Sequence, residues 1–396
     1  MAEALSLEQA VTVALARAPQ TQAQAAAIEA AQAESIAAGR LPDPELVMGV
    51  DNLPATGADA WSFDRDFMTM RKVGVMQAFP NQRKRAAQRE RAAATVAVVR
   101  SQARQTRLEV IQGTANAWVA SHAAELVLER LRLLQPEVAL QAQAARTALA
   151  SGRGSTLEAL TAQSEISELD DRMLEAQRAI QVARAELQRW IGEDAQRTLA
   201  AAPIFLELPR ARETLLASLH RHASLLAFDA QRALVQSEIE LARAEKRPDW
   251  SAELAYAKRG AVFSDMVSLE FRVGLPLFGE YRQDPLISAR RANLVQLEAE
   301  REAQLRMHEA EVISALAEWD AASRRIHLYE AERLPLARQR SQAALTSFQA
   351  GRTDLAALLA SHVAEIEVQR SYAELLRELG EAWVFLRYLD AGQESP

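Results

Sequence analysis

The sequence lacks cysteine altogether and has few aromatic residues, and each absence excludes a class of protein. Without cysteine we expect no disulfides, no thiolate metal sites and no lipid on a cysteine within the chain as given. Aromatic residues make up 5% of the chain, whereas hydrophobic residues make up 49% and charged residues 25%. Because this mixture suits long helices and coiled coils, we expect the 396 residues to be mainly helical.

Long apolar runs and an excess of basic charge are missing as well. No stretch approaches the roughly 18 uninterrupted apolar residues of a transmembrane helix. The net charge of −7 argues against nucleic acid as a partner, since phosphates demand clustered Lys and Arg. No signal peptide is visible, but "AEALSLEQA" is typical of the start of a mature exported chain, so no compartment is excluded.

Patterns that support catalysis or tight metal binding are not found. His220 and His222 are two positions apart, and residues two apart on a helix point to different faces. The sequence contains no Gly-rich phosphate loop, no nucleophile elbow and no metal-ligand spacing of histidines. We therefore predict that the protein is not an enzyme and has no cofactor.

The strongest positive signal is an internal repeat. Pro136 and Pro335 lie 199 residues apart, and Gly152 and Gly351 have the same offset. Self-similarity at a fixed offset is the signature of duplicated structural units. The offset predicts two copies of one unit, with the boundary after residue 209.

Each copy is predicted to contain the same series of elements: a helix, a β-hairpin, a very long helix, a glycine turn and a shorter helix. In residues 1–209 the elements are a helix at 6–39, a hairpin at 44–79, helices at 83–151 and 155–191, and an equatorial link at 192–209. In residues 210–396 they are a helix at 210–247, a hairpin at 249–278, helices at 283–350 and 353–389, and a C-terminal tail. A helix of the longer kind would extend about 100 Å, which no globular core requires.

Two features of the helices concern packing and bending. Apolar residues recur every three or four positions from Ile166 to Trp190, which predicts a coiled-coil seam. Pro136 and Pro335 each precede their turn glycine by 16 residues. Because proline removes a helical hydrogen bond, we predict a kink near each of them.

The hairpin segments alternate apolar and polar residues. In "MVSLEFRVGLPL", every second residue from Val267 to Leu277 is apolar, which predicts strands with one apolar face. Such strands occur in transmembrane β-barrels and in half-buried soluble sheets, and both interpretations stay open. Four strands cannot enclose a barrel, and an open sheet leaves unpaired edges in lipid, so a membrane location would require several protomers.

The doubled plan resembles the TolC-like outer-membrane factor family. The resemblance rests on "LSLEQAVTVALARAPQTQAQ", "AFPNQRKRAAQRERAAA" and the paired glycine turns, and it covers essentially the whole chain. The segments "DNLPATG" and "WSFDRDFMTMRKVGVMQAFP" are most similar to members that serve heavy-metal efflux pumps of the Cus and Czc type.

The resemblance implies a mainly α fold with a small β part and two repeats. A long coiled-coil α-helical barrel in the periplasm would adjoin a transmembrane β-barrel assembled from four strands per protomer. The homotrimer would lie in the bacterial outer membrane as the passive exit duct of a tripartite efflux system for heavy-metal cations. Its partners would be outer-membrane lipid, a periplasmic adaptor (membrane fusion protein) and an inner-membrane RND transporter. A soluble coiled-coil scaffold, or the same channel in drug efflux or type I secretion, remains an alternative.

The first candidate site residues lie at the two turns. Gly152 and Gly351 suit the left-handed conformation in which helices end, and helix N-caps are predicted nearby, at Ser155, Thr156 and Asp354. The resemblance implies that these turns form the periplasmic mouth and contact the adaptor, with the exposed contacts at Arg153 and Arg352.

A gate is a second candidate site. Some relatives narrow the mouth with acidic rings six residues past the turn glycine, a position that is Glu158 after the first turn and Ala357 after the second. A gate would therefore rest on Glu158, with Asp354 in support. The alternative is that Glu158 is an ordinary solvated residue on a helix face.

Methionines in the hairpins are a third candidate. Met68, Met70, Met76 and Met266 share the parity of the polar positions, and thioethers suit soft ions such as Cu(I). A weak relay along the barrel is one hypothesis, and ordinary gap-filling by methionine is the other.

Overall fold

The computed structural model describes residues 4–152 and 154–389. They fall into two compact units. Unit 1 contains the residues up to Gln24, Ala103–Leu225 and those from Gln304 onwards, and unit 2 contains Ala25–Gln102 and Leu226–Ala303. Each unit takes segments from both halves of the chain, so the boundary after residue 209 does not separate the compact units. The repeat itself stays a prediction.

Nine α-helices and four strands make up the described chain. The helices are α1 (Leu7–Arg17), α2 (Pro19–Ala37), α3 (Gln82–Ala150), α4 (Thr156–Ile191), α5 (Arg212–Ala217), α6 (Ala223–Ala244), α7 (Gln283–Leu328), α8 (Leu334–Gln349) and α9 (Leu355–Arg387). The strands are β1 (Glu45–Asp51), β2 (Met70–Phe79), β3 (Trp250–Lys258) and β4 (Met266–Val273). None of the described helices has the length and apolarity that crossing a membrane requires.

The first helix of each predicted copy is divided in the structure. The predicted helix 6–39 is interrupted between α1 and α2 at Ala18, because Pro19 has no N–H with which to continue the helical hydrogen bonds. The predicted helix 210–247 begins with the short α5 and a 3₁₀ turn, and α6 starts only at Ala223.

The two helix prolines differ in their local structure. α3 remains helical through Pro136 without a break. Pro335 instead follows a π-helical turn at Tyr329–Arg333, which divides the predicted helix 283–350 into α7 and α8. A proline ring clashes with the carbonyl four residues earlier, and the wider π turn contains that residue, Ala331. A π turn thus precedes only the second of these two prolines, and a kink at each of them stays a prediction.

Tryptophans fix the N-terminal segment and the link of unit 1 to its helices. Trp118 is fully buried, and its Nε1–H donates to the carbonyl of Leu5 at 3.0 Å. Trp319 donates to the carbonyl of Phe205 at 2.9 Å. Both rings pack in one core that also contains the apolar face of α1. Buried indole N–H groups need such partners, so these bonds hold extended backbone against α3 and α7.

The four strands form one antiparallel sheet in unit 2, in the order β1-β2-β3-β4. The central pair joins the two hairpins, with Phe79 opposite Trp250 and Arg71 opposite Lys258. Within the described chain β1 and β4 are the edges of the sheet. The small antiparallel sheet beside long helices confirms the predicted fold class in its coarse form.

Asp249 connects the start of β3 with the start of α3. Its Oδ1 accepts from the backbone N–H of Asn81 at 2.7 Å, and its Oδ2 lies 2.8 Å from Lys84 Nζ. Asn81 in turn caps α3, since its Oδ1 accepts from the backbone N–H of Lys84 at 2.9 Å. Burial opposes ionisation of Asp249, but the bonds from Lys84 and Asn81 hold its pKa below the ordinary value.

We predict that Asp249→Asn lowers the free energy of unfolding by about 1–2 kcal/mol, because a partly exposed, charge-assisted contact is lost. The depressed pKa means that the contribution is complete above the unfolded value of 3.8 and is lost as pH falls towards the lower folded value. Urea unfolding at neutral and acid pH measures both effects. Asp43→Asn, at an exposed aspartate, is the matched control and should change little. Equal effects of the two variants would contradict this role of Asp249.

Candidate functional site

The sheet exposes its apolar face. Pairing across the strands aligns two rows of apolar and aromatic side chains, Leu46–Val75–Leu254–Leu269 and Met48–Val73–Tyr256–Val267. Each of these eight side chains is between 50% and 71% exposed. At one end of the same face Phe79 stacks on Trp250 with ring centroids 4.1 Å apart. The apolar face is therefore continuous across all four strands and uncovered within this chain.

The opposite face carries charge and is the better packed of the two. Its charged residues are Glu45, Asp51, Lys72, Glu253, Glu270 and Arg272. Glu253 is only 3% exposed and is paired with Lys72 Nζ at 2.5 Å and with Arg272 Nη2 at 3.0 Å. Glu270 lies directly opposite Glu253, and Arg272 also contacts Glu270 at 2.7 Å, which offsets the like-charge pair. At the centre of the sheet the charged face is thus more buried than the apolar face.

The hairpin methionines do not converge within one chain. Met68 lies in the loop before β2, not in a strand. Met70 and Met76 are on the polar face of β2, whereas Met266 is on β4, with β3 between them. Strands two apart are about 10 Å from each other, too far for thioethers to share an ion. The Sδ of Met76 instead accepts from Arg272 Nη1 at 3.5 Å.

The first glycine turn ends α3 and starts α4. Gly152 has φ of +71°, as predicted, and its N–H donates to the carbonyl of Leu149 at 3.0 Å. Ser155 is the N-cap of α4, and its Oγ accepts from the backbone N–H of Glu158 at 3.1 Å. Thr156 is the first helical residue, not the cap. Arg153 lies outside the described residues.

Glu158 has a local structural role. Its Oε2 accepts from the backbone N–H of Ser155 at 2.8 Å, which completes a capping box with the bond from Ser155 Oγ. The sequence carried this signal, since Ser-x-x-Glu before an apolar run is the pattern of a capping box, but the interpretation as a gate residue or a solvated glutamate missed it. One carboxylate oxygen is committed to the helix start.

The second turn differs from the first in its side-chain cap. Gly351 has φ of +65°, its N–H donates to the carbonyl of Phe348, and the N–H of Arg352 donates to that of Ser347, both at 2.9 Å. This pair of bonds is a Schellman motif, which satisfies the last carbonyls of α8. Asp354 caps α9 by accepting from the N–H of Ala357 at 2.9 Å. With alanine at that position no reciprocal side-chain bond forms, so both turns have a left-handed glycine but only the first has a capping box.

We predict that Ser155→Ala and Glu158→Ala each destabilise the protein, Ser155→Ala by about 1 kcal/mol, because each removes half of the capping box. Since the two bonds are reciprocal, the double variant should cost less than the sum of the single ones. Urea unfolding of the four proteins measures the coupling. Thr156→Ala, one position along, should be nearly neutral. Strict additivity of the two losses would show that the box is not a cooperative unit.

A histidine cluster in unit 1 was not foreseen. His308 is 6% exposed, and its Nε2 lies 2.6 Å from Ser224 Oγ, while His222 Nδ1 lies 2.9 Å from the same oxygen. The Nδ1 of His308 contacts Glu311 at 2.7 Å. Sequence reasoning judged His222 only by neighbours on its own helix, and no pattern links it to a residue 86 positions away. Across the described ranges no group of three or more His, Cys, Asp or Glu residues is arranged to hold a metal ion.

Comparison with known proteins identifies the fold. A scan against protein-family models finds no match, and a search of curated proteins finds no relative. Solved structures do match over nearly the whole chain, and several of them are outer-membrane channels, so the protein has the fold of TolC-like outer-membrane factors. Because the identities below are under 25%, the likeness establishes the fold alone.

Three of these structures show how close the match is. A membrane protein from Pseudomonas aeruginosa aligns with a TM-score of 0.82 at 17% identity, over 98% of this chain and 92% of its own. CusC, studied for its folding and transmembrane channel formation, aligns with a TM-score of 0.79 at 15% identity, over 96% and 91%. The outer-membrane protein VceC from Vibrio cholerae aligns with a TM-score of 0.78 at 17% identity, over 97% and 95%.

Proposed function

We propose that the protein is a trimeric outer-membrane channel and the passive exit duct of a tripartite efflux system. The observation that carries the proposal is the sheet with its apolar rows exposed on one face and its charged residues, including the buried Glu253, on the other. A sheet in water places these faces the other way round, because exposed apolar area costs about 25 cal/mol per Å². Lipid on the outside and water on the inside accounts for the reversal.

The edges of the sheet support assembly from several copies. β1 and β4 each present backbone groups that nothing else in the described chain pairs, and such groups cost several kcal/mol in lipid. Three copies joined edge to edge would close twelve strands and leave no edge. The stacked Phe79 and Trp250 would then lie at the end of the apolar band, where aromatic residues are enriched in membrane barrels.

The charges of the polar face favour cationic cargo. Four carboxylates and two basic groups lie on it, listed above for the strands, so the face of each protomer is net acidic. Rings of carboxylates attract cations into a channel. We therefore propose heavy-metal cations as the cargo, passed on by an inner-membrane RND transporter and a periplasmic adaptor.

The glycine turns of unit 1 would form the periplasmic mouth. Arg352 and Asp354 are exposed after the second turn and available to an adaptor. Glu158 would supply an acidic ring of three carboxylates, each oriented by its capping box. Fixed orientation makes the ring a better electrostatic filter than freely rotating side chains would be.

The membrane location predicts opposite outcomes for two adjacent substitutions on β4. Leu269→Arg places a charge on the apolar face, where it costs about 2–4 kcal/mol in lipid, and should abolish outer-membrane trimers. Ser268→Arg, one residue away on the polar face, should still assemble. Trimers are measured by detergent extraction of outer membranes and native gel electrophoresis. If both variants assemble alike, or the protein purifies as a monomer without detergent, a soluble scaffold is the better description.

The proposed gate at Glu158 is tested by a substitution that removes the negative charge but keeps the hydrogen bond that caps α4. Glu158→Gln keeps a capping-box acceptor but not the carboxylate, so block of the single-channel current by di- and trivalent cations should weaken at least about tenfold. Planar-bilayer recording measures the change. Asp354→Asn, which also keeps its cap, shows whether the second turn contributes. Unchanged block in Glu158→Gln would contradict a gate at this residue.

A further inference from the structure

A cluster of buried polar side chains lies behind the two glycine turns. His362 is 2% exposed, Ser341 3% and Gln141 5%, and they come from α9, α8 and α3 respectively. The ring of His362 is bound on both sides: its Nε2 lies 2.7 Å from Gln141 Nε2 and its Nδ1 lies 2.9 Å from Ser341 Oγ. One imidazole therefore joins three helices.

The position of this cluster relates it to both turns. Each of its three residues lies ten or eleven positions from Gly152 or Gly351. One helical turn nearer the glycines, Ala145, Leu345 and Leu358 pack in a single core shared by the four helices α3, α4, α8 and α9. Any change in how His362 holds its neighbours is thus transmitted to the packing of both turns.

The hydrogen bonds define the protonation state of the ring. Because Gln141 Nε2 carries only hydrogens, it donates to an unprotonated His362 Nε2, and the proton of the neutral ring is on Nδ1, which donates to Ser341 Oγ. The Oε1 of Gln141 is buried and accepts no hydrogen bond. The neutral ring therefore satisfies both of its own nitrogens but leaves one amide oxygen of the cluster without a donor.

Adding one proton reverses this arrangement. A proton on Nε2 would place two N–H donors 2.7 Å apart, so the bond to Gln141 must break. The amide can rotate and present Oε1 to the new N–H, but the charge on a ring that is only 2% exposed still favours separation of the helices, which lets water reach it. The charges that face the ring are Glu137 of α3 and Glu365 of α9, while α8 contributes the neutral Ser341 and α4 contributes apolar side chains such as Ala162.

We propose that His362, Gln141 and Ser341 form a proton-operated latch that holds the two glycine turns together when His362 is neutral and loosens them when it is protonated. Burial lowers the pKa of His362, and Glu137 and Glu365 offset part of that effect. Because the folded pKa lies below the unfolded value of 6.5, the latch is fully formed above pH 6.5 and weakens as pH falls below it.

The first half of the chain has no such latch. Ala142 precedes Gly152 by as many residues as Ser341 precedes Gly351, and an alanine cannot bind an imidazole. Acid would therefore act on the second hairpin, α8 and α9, and on its contact with α3. The physiological meaning of the latch, a mouth that responds to periplasmic acidity, rests on the proposed channel function, but the structural change does not.

Hydrogen–deuterium exchange tests the latch without requiring a working channel. Peptides covering residues 341–349 and 357–366 are followed at about pH 7.5 and about pH 5.5, the range in which ordinary histidines change charge, with correction for the intrinsic pH dependence of exchange. In the unmodified protein their protection should fall at least about threefold on acidification. His362→Gln, which keeps a polar amide but cannot take up a proton, should abolish the fall.

Two further variants test whether the acid response depends on His362 and Gln141 and not on another histidine. His122→Gln removes another half-buried histidine whose pKa burial lowers, and it should leave the acid response intact. Gln141→Leu removes the amide oxygen that would accept from the protonated Nε2, so the response should move to lower pH, and this variant tests the latch even if His362→Gln fails to fold. No acid response in the unmodified protein, or a response that persists in His362→Gln or vanishes in His122→Gln, would overturn the latch. None of these outcomes depends on trimers or conductance.

Discussion

Apolar side chains on paired strands must be covered, and in this protein nothing within the described chain covers them. Two rows of side chains, each at least half exposed, cross all four strands, and the two outer strands carry unpaired backbone. The same sheet places a nearly buried Glu253 between Lys72 and Arg272. In the proposed assembly, lipid would cover the apolar face and further copies of the chain would close the edges, which would satisfy both demands.

The helices impose a different requirement. At each glycine turn one helix must end and the next must begin within a few residues. The two glycine turns achieve this with left-handed backbone, but their side chains differ. Ser155 and Glu158 form a closed box at the first turn, while Asp354 caps the second alone. With a left-handed glycine at both turns, the first turn carries a closed capping box and the second is followed by His362 and its partners.

The sequence was most informative where physical demands act within a few residues. Alternation along the strands predicted the apolar face, and Gly152 and Gly351 predicted the left-handed turns, because pleat and φ are local properties. Pro19 was passed over as a helix breaker, and the π turn before Pro335 has no pattern of its own. The histidine clusters could not be predicted, because His222 meets His308, and His362 meets Gln141, only after distant helices pack. Rules for the spacing of ligands along a single helix cannot identify residues that meet from different helices.

The register of the sheet also limits when it can form. The two hairpins meet along β2 and β3, where Phe79 faces Trp250, a partner synthesised 171 residues later. At about 5–20 residues per second, roughly ten to thirty seconds pass between the first strand pair and its partner. During that interval the β1–β2 hairpin has an unpaired inner edge and an apolar face, the two properties that promote aggregation. The first hairpin is therefore prone to aggregation until β3 is available to pair with β2.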